Sequence, residues 1–339
     1  MAIPGQEGAT DVLIVSVGAT TGWRAAAREL GAAFQSAGAR TVTVDSGPVG
    51  EVRTFMLTDL VQALAARRAA ARGIAAHRPR TIVYCSITAA LLWPRPGVIW
   101  LDAIAAENRP GRHGVWQRLV EGRRLARAPL VLMMAPDSLA PLRGRGRGRA
   151  VRPAEVVVPV AVQSSGAPAA VRDIDVVAYA ADPVKRRLDF ILETWREARR
   201  GEETLVVTGI DRVSDVPGVR FTGRLAPDEF RALLRRARVF VAASRREDFG
   251  IAQLEALADG AMLVTTPAPG PYPALRLARE LDARLVAEDL APALRAALDD
   301  PAPGYAGRAA ELVAPFSREA VTTTLTQHVL PRLLAGWGS

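Results

Sequence analysis

Two glutamates with seven residues between them are the most informative chemical feature of the sequence. Glu247 and Glu255 lie in the segment Ser244–Gly260, SRREDFGIAQLEALADG, where an apolar run leads into an amphipathic stretch. Helical side chains lean toward the N-terminus, so both carboxylates can approach one ligand above the strand end. The amides near Phe249, Gly250 and Ile251 are placed to bind an anion at the helix start. This combination suits a sugar nucleotide, and it equally fits a solvated acid pair on an ordinary helix.

The elements that must position these acids alternate between strand and helix in the first half of the chain. Amphipathic stretches predict helices at Arg24–Ala37, Leu57–His77 and Val115–Arg127. Apolar runs predict strands at Asp11–Val17, Thr41–Val44, Thr81–Tyr84, Val98–Leu101, Leu130–Met134 and Val156–Val160. Strand–helix alternation with short turns indicates a parallel sheet covered on both faces.

A second alternating unit begins near Ile174. Helices are predicted at Pro183–Arg200, from Pro227 onward and at Gly250–Asp259. Strands are predicted at Asp175–Tyr179, Thr204–Thr208, Val219–Thr222, Val239–Ala243 and Met262–Thr265. The predicted fold class is therefore α/β, with two doubly wound, Rossmann-like sheets and a cleft between them. Ligands of such sheets bind beyond the carboxyl ends of the strands.

The length of 339 residues is typical of about two domains. We expect a first domain over residues 1–162, a linker over 163–173, a second domain over 174–315 and a C-terminal helix over 316–339. The linker assignment rests on QSSGAPAAVRD, which is rich in Ser, Gly, Pro and Ala. The C-terminal helix is expected to pack back on the first domain.

Composition excludes several classes of protein. Hydrophobic residues make up 49% and charged residues 23%, which disfavours disordered and fibrous chains. The single cysteine, Cys85, precludes an intramolecular disulfide, and three histidines leave little for a zinc site. We find neither a secretory signal nor a membrane-spanning run, so a cytoplasmic location is expected.

The positive charge is concentrated in the first half of the chain. Residues 1–160 carry 21 arginines against 11 acidic residues, whereas the remainder is nearly neutral. Such a basic half suits an anionic acceptor, a peripheral contact with the inner face of a membrane, or nucleic acid, of which nucleic acid is the least favoured. GC-rich codon usage also explains an excess of arginine over lysine.

The second half resembles a known enzyme family. The E-x7-E pair is similar to that of retaining glycosyltransferases with the GT-B fold, family 4 type, also called glycosyl transferases group 1. Further segments follow the order of that family, namely Leu205–Gly209, Val219–Leu225, Glu229–Leu234, Val239–Ser244 and Gly260–Thr265. The resemblance covers about Asp175 to Asp300 and fits the first half only in outline. It implies a hexosyltransferase that needs no metal or other cofactor and takes a UDP- or GDP-sugar as donor.

The resemblance also implies roles for individual residues. Glu247 would contact the donor sugar near the reacting face, and Glu255 would bind the ribose hydroxyls. Lys185 and Arg186 would hold the diphosphate and stabilise its charge as it leaves. The remaining donor-binding candidates are Phe249, Gly250, Ile251, Gly18, Gly22, Gly209 and Arg224. Asp102 and His113 are candidates on the acceptor side.

Three departures from the family pattern leave other functions open. Ala180 stands where the family usually has a second base, and Leu101–Asp102 where it often has a histidine. The Asn-Gly-Val-Asp motif after the domain-closing strand is replaced by PVAV at Pro159–Val162. The first alternative is therefore a catalytically weak or inactive relative that binds sugar nucleotides. A basic protein that binds nucleic acid is the second.

Overall fold

The computed structural model describes residues 10–18, 21–47, 55–109, 111, 114–140 and 153–335. The chain divides into two compact units. The first comprises Met1–Ala161 with Arg318–Ser339, and the second comprises Val162–Ser317. Residues 163–173, predicted as a linker, therefore group with the second unit, and each unit is built on one parallel sheet.

The first unit contains a six-stranded sheet with the order β2-β1-β3-β4-β5-β6 and parallel pairing throughout. Its strands are β1 Val12–Ser16, β2 Thr41–Asp45, β3 Thr81–Cys85, β4 Val98–Leu101, β5 Leu130–Met133 and β6 Ala154–Val157. The four inner strands are buried along their whole length. Burial on both faces explains why they are continuous apolar runs instead of alternating ones.

Among the described residues, five helices of the first unit with given bounds lie before β6. They are α1 Thr21–Ser36, α2 Phe55–His77, α3 Ile87–Ala90, α4 Ala105–Asn108 and α5 Val115–Arg127. One hydrophobic cluster takes Ala66 and Ala70 from α2, Ala89 from α3 and Leu125 from α5. These helices therefore cover the same face of the sheet.

The second unit contains a five-stranded parallel sheet with the order β11-β10-β7-β8-β9. Its strands are β7 Ile174–Tyr179, β8 Leu205–Thr208, β9 Val219–Phe221, β10 Ala237–Ala242 and β11 Met262–Thr265. The chain runs from β7 outward to β8 and β9, then returns to place β10 on the other side of β7. Strand order thus reverses between β7 and β10, which is where doubly wound sheets bind ligands.

The helices of the second unit follow its strands. They are α6 Leu188–Ala198, α7 Pro227–Arg236, α8 Ile251–Ala258, α9 Pro273–Leu281, α10 Leu290–Asp299 and α11 Tyr305–Val313. Short 3₁₀ turns follow α9 at Ala283–Leu285 and α11 at Ala314–Phe316. Pro227 at the first position of α7, with Asp228 and Glu229 in its first turn, matches the preferences of a helix N-terminus.

The C-terminal segment belongs to the first unit. It consists of α12 Arg318–Thr324, a π-helical turn Leu325–Val329 and α13 Leu330–Leu334, where one continuous helix was expected. Arg318 Nη2 lies 2.6 Å from Glu29 Oε2 of α1, and Arg80 Nη2 donates to the Leu334 carbonyl at 2.9 Å. Polar contacts thus hold both ends of the segment.

Helix α6 begins five residues later than predicted. Arg187 adopts a left-handed conformation with φ +51°, which interrupts the helical path that Pro183 was expected to start. The preceding residues form a turn in which Arg186 N donates to the Asp182 carbonyl at 2.9 Å. Lys185 and Arg186 therefore sit in a loop at the carboxyl end of β7 instead of on a helix.

The segment predicted as a linker is packed against α7 and the end of α8. Ser165 N donates to Asp259 Oδ1 at 2.8 Å, and Ala169 N donates to the Arg235 carbonyl at 3.0 Å. Its Ser- and Gly-rich composition allows this irregular path, and buried Asp259 supplies the acceptor that orders it.

Candidate functional site

The candidate site lies at the carboxyl ends of β7 and β10. These strands are direct neighbours, with Ala178 opposite Val241 in the parallel register. The loop after β7 carries Arg186 and the loop after β10 carries Glu247. Arg245 N donates to the Lys185 carbonyl at 2.9 Å, which ties the two loops together.

Glu247 is buried and receives three side-chain hydrogen bonds on one oxygen. Arg186 Nη1 donates to Glu247 Oε2, as do Ser244 Oγ at 3.1 Å and Gln253 Nε2 at 3.0 Å. Arg186 Nη1 also lies 2.9 Å from Ser244 Oγ, and its guanidinium lies 5.7 Å from the ring centroid of Tyr179. A buried carboxylate needs such compensation for its lost hydration. The two residues expected to act closest to the reaction are thus in direct contact.

Gly270 and Tyr272 lie beside the loop that carries Glu247. Glu247 N donates to the Pro269 carbonyl at 3.0 Å. Gly270 has φ +120°, and a Cβ there would overlap the carbonyl of Glu247. The buried Tyr272 hydroxyl lies 3.0 Å from Thr265 Oγ1, and burial raises the pKa of Tyr272 well above its usual value. The hydroxyl therefore stays protonated and serves as a fixed hydrogen-bonding group.

Gly250 shapes the N-terminus of α8. It has φ +83°, and a Cβ would lie 2.8 Å from the Tyr272 ring. Leu254 N makes the first helical bond, to the Gly250 carbonyl at 3.0 Å. The preceding amides are those that any helix leaves for an external acceptor, and here no side chain at Gly250 covers them. Phe249 is buried with its ring 6.1 Å from that of Phe316, and Ile251 opens the helix.

Glu255 lies in the middle of α8 and is more exposed than Glu247, with 24% of its side chain accessible. Arg231 Nη1 of α7 lies 3.6 Å from Glu255 Oε1. The same guanidinium binds the buried Asp259 at 2.6 and 2.8 Å and donates to the Gln163 carbonyl at 2.7 Å. Arg231, which pairs with Glu255, therefore has a second carboxylate partner in Asp259.

The other basic candidates near β7 differ in their surroundings. Lys185 is exposed, and its backbone N donates to Asp182 Oδ1 at 2.9 Å. The Arg187 guanidinium stacks 4.1 Å from the Phe190 ring centroid. Ala180 is buried, and its N donates to the Thr208 carbonyl at 2.8 Å. A buried methyl group therefore stands where the family usually has its second base.

Two further donor-binding candidates follow β8 and β9. Gly209 has φ +96°, its N donates to the Gly223 carbonyl at 2.7 Å, and a Cβ would lie 2.7 Å from Ala181 N. Arg224 comes directly after Gly223 and is exposed. Gly209 thus meets the requirement for close backbone approach between the β7 and β8 loops.

Comparison with protein families matches residues 174–300 to the family described as Glycosyl transferases group 1. Residues 174–300 therefore resemble a glycosyl transferases group 1 domain. This match spans β7 to α10 and includes the Arg186–Glu247 pair and α8. A search of curated proteins by sequence found no match.

Several solved structures share the fold of this chain. Sucrose-phosphate synthase from Thermosynechococcus elongatus aligns with TM-score 0.73 and 18% identity over 97% of this chain and 100% of that one. WaaG, a glycosyltransferase involved in lipopolysaccharide biosynthesis, aligns with TM-score 0.67 and 15% identity over 96% and 100%. The pneumococcal O-GlcNAc transferase GtfA, solved with UDP and GlcNAc, aligns with TM-score 0.54 and 12% identity over 75% of this chain and 57% of that one. The predictions of the GT-B fold and of a glycosyltransferase are confirmed.

The remaining candidates of this glycosyltransferase belong to its first unit. Gly18 follows β1 and donates its N to Ser46 Oγ at 3.2 Å, and a Cβ there would overlap the Asp45 carboxylate. Gly22 lies in the first turn of α1 with open space around it. Asp102 is half-buried directly after β4 and accepts from Ala103 N at 2.7 Å. His113 lies outside the described residues. The open space at Gly22 contrasts with position 18, where a Cβ would require the Asp45 side chain to move.

Sequence reasoning missed the residues that hold Glu247. Ser244 and Gln253 are its hydrogen-bond donors, while Gly270 and Tyr272 support the loop beneath it. Ser244 and Gln253 lie in the same segment as the E-x7-E pair. They could have been identified as hydrogen-bond donors by asking which nearby side chains would compensate a buried carboxylate. In the described part of the chain no three His, Cys, Asp or Glu side chains are grouped as metal ligands.

Proposed function

We propose that this glycosyltransferase is a retaining enzyme that moves a hexose from a nucleotide-sugar to an acceptor held by the first unit. The observation that carries the proposal is the contact of Arg186 with Glu247 at the reversal of strand order, beside the N-terminus of α8. An acid, a cation and free backbone amides there meet the needs of a sugar joined to a diphosphate.

The donor is assigned to the second unit. The amides at the start of α8 and the guanidinium of Arg186 bind the diphosphate, with Lys185 available from the same loop. Glu255, partly exposed on α8, binds the ribose hydroxyls. The presence of UDP in the solved GtfA structure supports a nucleoside diphosphate, and UDP and GDP are the two candidates to test.

In this scheme Glu247 acts on the donor sugar and Arg186 on the departing diphosphate. Arg186 and the positive end of α8 stabilise negative charge as the bond to the leaving oxygen breaks. One carboxylate at the sugar, as the family resemblance implies, supports transfer on the front face without a covalent intermediate. The positive groups of the chain itself take the place of a metal ion.

Binding and rate measurements on two variants test these roles. Glu247→Gln should lower the single-turnover transfer rate by about 10²–10³-fold while changing nucleotide affinity little, because its interaction strengthens in the transition state. Glu255→Gln should weaken UDP or GDP binding by roughly 10–150-fold, the equivalent of one charged hydrogen bond. Calorimetry gives the affinities, and NMR of the product gives its anomeric configuration.

Two controls make this test specific. Glu311→Gln changes an exposed acid of α11 and should leave both quantities unchanged. Arg231→Met removes the ion pair of Glu255 but keeps its carboxylate. Because it also leaves the buried Asp259 without its cation, its nucleotide affinity is compared at a matched folded fraction, where it should stay close to wild type. If both active-site variants bind and react like wild type, or if the product is inverted, the proposal is wrong. Transfer that persists unchanged in EDTA is the expected result for a metal-independent enzyme.

The acceptor is proposed to be anionic or lipid-linked. The excess of arginine in residues 1–160 supports an anionic group, and the fold shared with WaaG, a glycosyltransferase of lipopolysaccharide biosynthesis, supports a lipid-linked one. The alternative of a weak or inactive relative is motivated by buried Ala180. Nucleotide binding without either transfer or hydrolysis of the donor would favour it.

A further inference from the structure

Two neighbouring helices of the first unit expose large apolar side chains on their outer faces. Ten large hydrophobic residues are exposed among the described residues, and six of them lie on α2 and α5. They are 36–60% accessible and comprise Leu57, Leu60, Val61, Leu64, Val115 and Leu119. The spacing along α2 places its four on one helical face. This concentration differs from single exposed apolar residues, which are normal on protein surfaces.

The outer faces of α2 and α5 point away from the same side of the sheet. Ala66 and Ala70 of α2 and Leu125 of α5 are buried in one core cluster, so both helices present their opposite faces outward. Their first halves are joined beneath the surface, where Gln117 Nε2 of α5 donates to Asp59 Oδ2 of α2 at 3.2 Å. We call the outward surface of these two helices the α2–α5 face.

The α2–α5 face is basic and contains no acidic side chain from either helix. The only acids in α2 and α5 are Asp59 and Glu121, and both are buried. Asp59 binds Arg109 at 2.7 and 3.0 Å. Both carboxylate oxygens of Glu121 accept from Ala105 N at 2.9 and 3.0 Å, and burial raises the pKa of Glu121 to about 7. The two helices meanwhile carry seven arginines, at positions 67, 68, 72, 118, 123, 124 and 127.

Apolar and basic groups are arranged in the same order along both helices. The apolar residues occupy the first half of α2 and the first turns of α5, and exposed arginines follow, namely Arg67, Arg68, Arg72, Arg123 and Arg127. An anionic lipid surface matches both groups, since leucines enter the boundary of the acyl chains while arginines meet the phosphates. A second copy of this face would bring arginines against arginines.

We infer that the α2–α5 face docks on an anionic lipid bilayer. The contact is peripheral: none of the described helices has the length and apolar character needed to cross a membrane. The inference goes beyond the proposed sugar transfer, because it needs only the surface of the first unit. Docking of this face would also bring the first unit to the bilayer in which a lipid-linked acceptor is anchored.

Vesicle flotation with matched variants tests the inference. Wild type should bind vesicles made of equal parts phosphatidylglycerol and phosphatidylcholine, should not bind phosphatidylcholine alone, and should bind less at high salt. Leu60→Ser/Leu64→Ser/Leu119→Ser should weaken binding by about tenfold or more, because partly exposed leucines lose their burial in lipid. Arg68→Gln/Arg72→Gln/Arg123→Gln should weaken it by roughly fivefold for each arginine.

Controls come from the second unit. Val171→Ser/Val213→Ser removes two of its most exposed apolar side chains, and Arg276→Gln/Arg279→Gln removes two exposed arginines of α9. Both controls should float like wild type. Calorimetry with UDP and GDP on every variant should show unchanged nucleotide binding, so failure of membrane docking is distinguishable from failure of the proposed transfer function.

Three results would overturn the inference. The first is a wild-type protein that does not float with anionic vesicles. The second is loss of binding only in the arginine variant with the leucine variant unchanged, which would make the face a general anion-binding surface. The third is a wild-type dimer that both surface variants convert to a monomer in sedimentation, which would make a second copy the occupant.

Discussion

The contact between Arg186 and Glu247 predicts an asymmetric response to mutation. Arg186→Met removes the cation and leaves Glu247, only 7% accessible in its side chain, with the neutral donors Ser244 and Gln253. Breaking a buried ion pair in this way costs about 3–5 kcal/mol when the remaining charge is fully enclosed. We expect about 3 kcal/mol, because solvent reaches this pair from the arginine side, where 19% of the side chain is accessible.

The reverse change should cost less. Glu247→Gln keeps an oxygen for Arg186, Ser244 and Gln253 and leaves a guanidinium that can turn toward water. The loss is then that of a charged hydrogen bond, about 1.5 kcal/mol. The double variant should be more stable than the sum of the single effects predicts, with a coupling of about 2 kcal/mol. Lys185→Met, an exposed neighbour, should change stability by less than about 0.5 kcal/mol.

The assay must measure the free energy of unfolding of the second unit alone, because a chain with two units need not unfold in one step. Hydrogen exchange in a urea series, read in peptides covering β10 and α8, provides that measurement. A cost below about 1 kcal/mol, or additivity within about 0.5 kcal/mol, would refute the reasoning.

Three further changes have defined outcomes. Gly250→Ala should destabilise the second unit by about 1–3 kcal/mol in urea unfolding, because the new Cβ meets the Tyr272 ring at a positive φ. Gly122→Ala, in open space on α5, should stabilise the first unit by about 0.5–1 kcal/mol in the same assay. Burial raises the pKa of Glu121 to about 7, above its unfolded value, so its contribution to stability is full at low pH and falls as the pH rises through 7. Glu121→Gln should therefore reduce the change in the free energy of unfolding between pH 5 and 8 by about 3 kcal/mol. An unchanged pH dependence of that free energy would contradict the burial argument.

Much of the fold could be predicted because buried parallel strands are continuous apolar runs. The strands Val98–Leu101 and Met262–Thr265 and the helix Val115–Arg127 have the predicted bounds. The start of α6 could not be predicted, because a left-handed arginine at position 187 has no signature in composition or periodicity. Similarly, the packing of Ser165 on Asp259 depends on a partner 94 residues away.

The candidate site was predictable where its residues share one local segment. Glu247, Gly250 and Glu255 lie within one strand–loop–helix stretch, so their spacing indicates their placement. Gly270 and Tyr272 reach Glu247 and Gly250 only through the fold of the sheet, and no pattern in the sequence joins them. The role proposed for Arg186 comes from the resemblance to a known family, because an isolated Lys-Arg-Arg run does not specify it.

The different surroundings of the two acids determine how their variants must be interpreted. Glu247 stabilises the loop after β10. Its carboxylate accepts hydrogen bonds from three side chains, and its amide donates one to the Pro269 carbonyl. A change there alters stability and reaction rate together, so rate must be compared at matched folded fractions. Glu255 is more accessible, and its cation keeps a second, buried partner in Asp259. Replacing Glu255 therefore leaves Arg231 paired, and the change in nucleotide affinity tests the proposed contact with ribose directly.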